Sequence, residues 1–345
     1  MRRAIGAAAL LLISGVGAGC GSTVDVREAN LSVRTPAPTG TSTAPTPPGT
    51  PSAGKVRIAV VTHGEVSDPF WVTVRTGINQ AAHQMNASVS YVSPDTYDTQ
   101  RMRQLVEQAV ASRPNGLVVS IPDAKVLGPA IRSAVRAGIP VVSINSGTDV
   151  AHSLGVLVHI GQKDRSVGFA AGQRLAKSGV RRALCVNQEV GNSGLDERCA
   201  GFAAAIRRAH GTSSVVPVSV QDSAGAERRI VAAIKGRHAD GVMAMGQTAE
   251  APALDALRAE GLVGRVKLAT FDLSPDIVSA IRRGQIEFAV DQQPFLEGYL
   301  AVVFLAQYQR YGLLPDRGRV VETGPTFVTA KNAATVARLA DQQIR

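Results

Sequence analysis

The stretch PNGLVVSIPDAKVLGPAIRSAVRAGIPVVSIN, residues 114–145, sets the architecture. Its turn-forming Pro114-Asn115-Gly116 leads into a short apolar run, Gly116–Ile121, that reads as a strand. Lys125–Ala137 then carries a helical pattern, and Ala137-Gly138-Ile139-Pro140 turns into a second apolar run, Ile139–Ile144. The same alternation extends in both directions. Further strand-like runs are Val56–Thr62, Val89–Val92, Ala183–Asn187, Val215–Val220, Gly241–Met245, Val266–Phe271 and Ile286–Val290. Helical patterns fill the intervals at Trp71–Met85, Thr99–Ser112, Arg165–Lys177, Leu195–Ala209, Ala226–Lys235, Glu250–Glu260, Pro275–Arg282 and Pro294–Tyr311. Apolar strands of this length alternating with amphipathic helices predict an α/β fold with parallel sheets covered on both faces. Nine strands over this span suit two doubly wound lobes better than one large sheet.

The N-terminus has a different composition. Met1-Arg2-Arg3 precedes an apolar run of 15 residues, Ala4–Ala18, followed by Gly19-Cys20. This is the charged and apolar layout of an export signal, and it falls short of the roughly 20 residues a bilayer-spanning helix needs. Gly17, Ala18 and Gly19 before Cys20 resemble a lipobox, in which the cysteine becomes the first mature residue and carries lipid. Residues 1–19 are therefore expected to be a lipoprotein signal peptide. Residues 20–54 hold Pro36, Pro38, Pro45, Pro47, Pro48 and Pro51 among Thr, Ser and Gly, the composition of an extended tether. The expected location is extracytoplasmic, lipid-anchored to the cell membrane. The 345-residue chain carries 37 Lys+Arg against 27 Asp+Glu, and Arg2 and Arg3 leave with the signal. The remaining basic residues are scattered at helical spacing and form no run, so no nucleic-acid partner is expected.

In parallel sheets, ligands bind beyond the C-terminal ends of the strands. Those positions hold Thr62, His63, Asp68, Phe70 and Trp71; Asn145 and Ser146; Asn187 and Asn192; Gly246 and Gln247; Asp272; and Gln292. Amides and carboxylates both serve vicinal hydroxyls, and flat rings pack against the C–H faces of a polyhydroxylated ring. Trp71 is the sole tryptophan.

Ile58–Thr62 followed by Asp68-Pro-Phe-Trp71 resembles the opening strand of periplasmic sugar-binding proteins of the ribose-binding type. So do Ala137–Asn145, Asp196-Glu-Arg-Cys-Ala-Gly-Phe202, Thr270-Phe-Asp272 and Asp291-Gln-Gln-Pro294, in family order. The resemblance implies the type I periplasmic binding fold, two lobes joined by three crossovers near His159–Gln162, Asp291–Gln293 and Thr323–Pro325. One lobe would comprise residues 55–160 plus 292–323, the other 161–291 plus 324–345. It implies ligand contacts from Thr62, Asp68, Phe70, Trp71, Asp272 and Gln292. Asn145 and Ser146 fall where sugar binders often carry an Asp-Arg pair. Gly246 falls at a usual Asn, whose role would pass to Gln247, and Asp196 falls at an Arg of the ribose binders. Without an arginine fork at Asn145-Ser146, the expected ligand shifts from a simple aldopyranose to a polyol or inositol.

No Walker loop, nucleophile elbow or zinc-spaced histidine pair occurs, so no enzyme activity, cofactor or metal is expected. Gly168 and Gly172 read as helix-packing positions. Cys185 and Cys199, the cysteines besides Cys20, sit on a strand and the following helix and are expected to pair in an oxidising compartment. Two buried free thiols are the alternative. The reading as a whole is a monomeric solute receptor that delivers a sugar, polyol or cyclitol to an ABC permease in the membrane. A receptor feeding a signalling system is the alternative. A repressor core sharing the fold is disfavoured by the absence of a helix-turn-helix.

Overall fold

The coordinates are a computed structural model that describes residues 54–345 apart from Val66 and residues 316–319. The expected signal peptide, Cys20 and all of the tether but Gly54 lie outside the described residues. The first passage of chain runs β1 (Val56–Val61), α1 (Pro69–Gln84), β2 (Ala87–Val92), α2 (Thr99–Ala111), β3 (Gly116–Ser120), α3 (Ala124–Arg136), β4 (Val141–Asn145) and β5 (Val158–Gly161). The second runs α4 (Asp164–Lys177), β6 (Arg182–Asn187), α5 (Ser193–Arg208), β7 (Thr212–Pro217), α6 (Ser223–Arg237), β8 (Gly241–Ala244), α7 (Gln247–Ala259), β9 (Lys267–Phe271), α8 (Pro275–Arg282) and β10 (Phe288–Asp291). The third supplies α9 (Pro294–Tyr311), β11 (Val320–Glu322), β12 (Thr326–Val328) and α10 (Ala333–Asp341).

These strands form two six-stranded sheets of matching order, β2-β1-β3-β4-β5-β11 and β7-β6-β8-β9-β10-β12. All neighbours are parallel except β12, which runs antiparallel to β10. The chain passes between sheets three times, at Gln162–Lys163, Gln292–Gln293 and Thr323–Pro325. The central strands β3, β4 and β8 are buried at every residue, as parallel strands with helices on both faces must be. On the first sheet, Val60, Val118 and Ile144 pack with Ile78 of α1 and Leu305 of α9, while Val61 and Val119 face Met102 of α2 and Ile131 of α3. On the second, Cys185, Met243 and Phe271 face α4 and α5, and Leu184 and Val242 face α6, α7, α8 and α10.

Six helices open on an Asp, Asn or Ser whose side chain accepts a first-turn N–H: Asp68, Asp98, Asp123, Asn192, Asp222 and Ser274. Helix pairs approach closely where glycine leaves room. A Cβ on Gly168 of α4 would lie 2.1 Å from the Arg198 carbonyl oxygen of α5, so the helix-packing reading of Gly168 holds. The α1–α9 contact uses Gly77 and Gly298 in the same way.

Some expectations shift. The strand expected at Val215–Val220 is β7 at Thr212–Pro217, because it pairs residue for residue with Arg182–Asn187 and its edge position tolerates Pro217. The strand expected from Ile139 begins at Val141, after the left-handed turn at Gly138 and Pro140, which has no N–H. Three strands and one helix escaped the sequence reading: β5, β11, β12 and α10. The strands are only three or four residues long, which leaves too little apolar periodicity to read.

Cys185 of β6 and Cys199 of α5 form a disulfide with a Cα–Cα separation of 5.8 Å, closing a loop of sequence separation 14 in the core of the second lobe. Reduction is expected to lower the unfolding free energy by about 3 kcal/mol on the chain-entropy account. Denatured but unreduced protein should resist alkylation at both cysteines; full labelling there would eliminate the bridge.

Candidate ligand-binding site

A partly open cavity lies where the C-terminal ends of the two sheets face each other. The first lobe contributes His63, Asp68, Phe70, Trp71 and Asn145; the second contributes Gln188, Glu189, Arg198, Gly246, Gln247 and Asp272; Gln292 comes from the crossover.

The aromatic wall is built by the start of α1. Asp68 caps the helix by accepting from Phe70 N at 2.8 Å, which fixes Phe70 and Trp71 in the first turn. The Trp71 ring meets Phe70 and His63 edge to face, at 5.0 and 4.9 Å between centroids. Trp71 lies directly over Gly64, where a Cβ would fall 1.6 Å from the indole nitrogen, so no other residue fits at position 64.

Opposite this wall runs a buried polar chain. Gln292 donates to Asp272 Oδ1 and accepts from an Arg198 nitrogen, and Arg198 Nε donates to Asp164 Oδ1 at 2.7 Å. The Arg198 guanidinium also stacks 4.6 Å from the centre of the Phe271 ring. Asn145 and Asp272 end equivalent strands of the two sheets, β4 and β9, and both have left-handed backbones with φ of 62° and 70°. Asn and Asp tolerate that conformation best among residues with a Cβ, and it turns a strand-end side chain out of the sheet.

Contacts across the cleft close the site. His63 Nε2 lies 3.4 Å from Glu189 Oε2, and Asn192 Nδ2 donates to the same carboxylate at 2.6 Å. Ser146 Oγ donates to Asn192 Oδ1, Ser193 N to the Pro122 carbonyl, and Gln221 Nε2 to Glu65 Oε1.

Eight of the residues singled out from sequence line the cavity: His63, Asp68, Phe70, Trp71, Asn145, Gln247, Asp272 and Gln292. Ser146 and Asn192 belong to the contacts across the cleft. Thr62 is buried beside it, bonded to the Tyr91 hydroxyl at 2.6 Å. Asp196 is exposed and accepts from Asn187 Nδ2, whereas Arg198, two residues on, lines the cavity. The reason is helical phase. Leu195, Arg198, Cys199 and Phe202 share the inward face of α5, and residue 196 points to solvent. Gln247 donates to the Leu273 carbonyl, so its amide N–H is already engaged. Gln188, Glu189 and Arg198 were missed by the sequence reading; the phase of Leu195 and Phe202 would have identified Arg198. Among the described residues, no group of three His, Cys, Asp or Glu side chains could hold a metal ion.

Burial raises Asp272 to about 7 against the pull of Arg198 and Gln292, and raises Asp68 to about 6. Burial would also raise Glu189, but the adjacent His63 ring and Asn192 amide hold it below the usual carboxylate range.

Residues 58–312 match the family described as "Periplasmic binding protein domain". The chain belongs to that family. This periplasmic binding protein is 35% identical to a solved carbohydrate transporter from Acidothermus cellulolyticus in complex with myo-inositol, at a TM-score of 0.80 over 84% of this chain and 100% of that one. It is 28% identical to the xylose/arabinose-binding protein of Sulfolobus acidocaldarius, over 86% of this chain and 78% of that protein. It is also 28% identical to the D-ribose/D-allose-binding protein of Pseudomonas aeruginosa, over 80% and 89%.

Raised carboxylates in a periplasmic binding protein have a signed consequence. Asp272 and Asp68 bind protons in the folded state that the unfolded chain has released by neutral pH. Their stabilisation is therefore full below about pH 4 and is lost as pH rises through the folded values near 6 and 7. Asp272→Asn, which still accepts from Gln292, is expected to show a smaller fall in Tm between pH 5 and 8 than wild type in the ligand-free state. An identical pH profile would contradict the assignment.

Proposed function

We propose that this protein is the extracytoplasmic solute receptor of an ABC importer, that it captures a neutral cyclitol, myo-inositol or a close stereoisomer, and that it presents the closed complex to a permease. The carrying observation is the cavity itself, with Phe70 and Trp71 on one side and the Asp272–Gln292–Arg198 chain on the other. A cyclitol has flat C–H faces for the rings and a girdle of hydroxyls for the carboxylates and amides. The myo-inositol complex of the 35%-identical relative supports the same class. Glu189 is held ionised at the cavity wall and Arg198 is already paired with Asp164, so an added phosphate or carboxylate would meet a like charge there.

Closure follows from the division of contacts. The aromatic pair belongs to the first lobe and Asp272 to the second, so a ligand touching both binds the closed state preferentially and shifts the population towards it. Myo-inositol at 100 times its dissociation constant is expected to stabilise the protein by about 2.7 kcal/mol. It should also change the fluorescence of Trp71 and lower the radius of gyration in solution scattering. Inositol monophosphate is expected to do none of these. Tight binding of the phosphate, or binding of myo-inositol with an unchanged scattering profile, would count against the reading.

The lipid tether is part of the same proposal. It rests on Cys20 after its small-residue run and on the Pro/Thr-rich segment that follows. Cys20→Ala is expected to move the exported protein from the membrane fraction to the soluble one. Retention in the membrane without lipid would reject the anchor.

A further inference from the structure

We propose that Gln188 reads a hydroxyl of the ligand and that position 246 is glycine to make room for it. The inference rests on the polyol reading above and assigns a specificity-determining residue within it.

Gln188 follows directly on β6 and lines the cavity. Its neighbours are clamped. Asn187 Oδ1 accepts from Glu189 N at 2.9 Å, Asn187 Nδ2 donates to Asp196, and Glu189 is held by Asn192. The side chain between them is thereby aimed. Its Oε1 is sealed from solvent and has no hydrogen-bond partner. Among the described residues, a few other buried side-chain atoms share that condition, on Ser93, Tyr97, Gln162 and Glu297, and none of those residues lines this cavity. A buried acceptor without a donor is costly, and it persists where something else supplies the donor.

Gly246 provides the seat. Its backbone is extended, with φ at 176°, so glycine is not required there by conformation. A Cβ would instead fall 2.7 Å from Gln188 Nε2 and 3.5 Å from Asp272 Oδ2. Glycine therefore lets the Gln188 amide lie close against the backbone at the end of β8, on the side of the Asp272 carboxylate. Other cavity amides are committed: Gln292 at both ends, Gln247 through Nε2, and Asn145 through Oδ1, which accepts from Ser146. A ligand hydroxyl both donates and accepts, so it satisfies either face of the Gln188 amide. The group recognised is a hydroxyl adjacent to the one that reaches Asp272.

The test uses the purified chain, calorimetric titration with myo-inositol, scyllo-inositol, D-ribose and D-xylose, and ligand-free thermal melts. Gln188→Met keeps the side-chain length and removes the amide. It is expected to raise Kd at least tenfold for the best ligand and to raise the ligand-free Tm, since the orphaned acceptor is gone. Gly246→Asn alone should also weaken binding by displacing Gln188. The double variant Gln188→Ala, Gly246→Asn should recover affinity relative to Gln188→Ala, because the new amide enters the same space from the next strand. An unchanged Kd in Gln188→Met overturns the assignment, and so does a lower ligand-free Tm, which would mark a purely structural role. If wild type binds none of the four compounds, the polyol reading fails by itself. The ligand-free melt of Gln188→Met then decides Gln188 separately: a raised Tm upholds it as a binding residue and an unchanged one rejects it.

Discussion

A guanidinium that is 2% exposed must be paired, and the pairing of Arg198 organises the second lobe and its junction with the first. Asp164 comes from the first turn of α4, immediately after one crossover, and Gln292 sits in another. Removing Asp164 would leave the buried Arg198 charge uncompensated, which typically costs about 3–5 kcal/mol. The close α4–α5 packing at Gly168 and Gly201 keeps Asp164 within reach. Arg198 thereby ties a helix pair, a hinge segment and, through Gln292, the Asp272 carboxylate into one unit. The Asp272 carboxylate is two hydrogen bonds from that cation and one from the hinge.

The architecture was readable because parallel strands buried on both faces are written as apolar runs, as in Val141–Ile144, and because Asp and Gly punctuate their ends. The elements that escaped, such as Val320–Glu322 and Thr326–Val328, complete sheet edges and owe their conformation to pairing with β5 and β10. The site was legible to the same degree and for the same reason. Residues directly at strand ends, such as Asp272 and Asn145, announce themselves by position. Arg198 and Gln188 do not. Arg198 reaches the cavity from the second turn of a helix. Gln188 is picked out by the close approach of its amide to Gly246, which no local pattern encodes. Asp196 and Arg198 stand two residues apart on α5, a step that moves a helical side chain from solvent to the cavity.

The two lobes solve one problem twice. Each places its fourth strand so that an Asn or Asp in a left-handed conformation ends it, Asn145 in one and Asp272 in the other. Such backbone strain persists only where surrounding structure enforces it, and here Ser146 and Gln292 bond to the two side chains. The lobes differ in what they add: rings from α1 on one side, charge and amides from the second lobe on the other.

The order in which the chain is laid down has a consequence of its own. The first sheet owes one of its covering helices, α9, and its edge strand β11 to residues 294–322, and the second sheet owes β12 and α10 to residues 326–341. Neither lobe is therefore a contiguous piece of polypeptide, and a chain synthesised or threaded from its N-terminus exposes the inner face of the first sheet until α9 has emerged. Neither sheet acquires its full cover and edge until the last sixth of the sequence is in place.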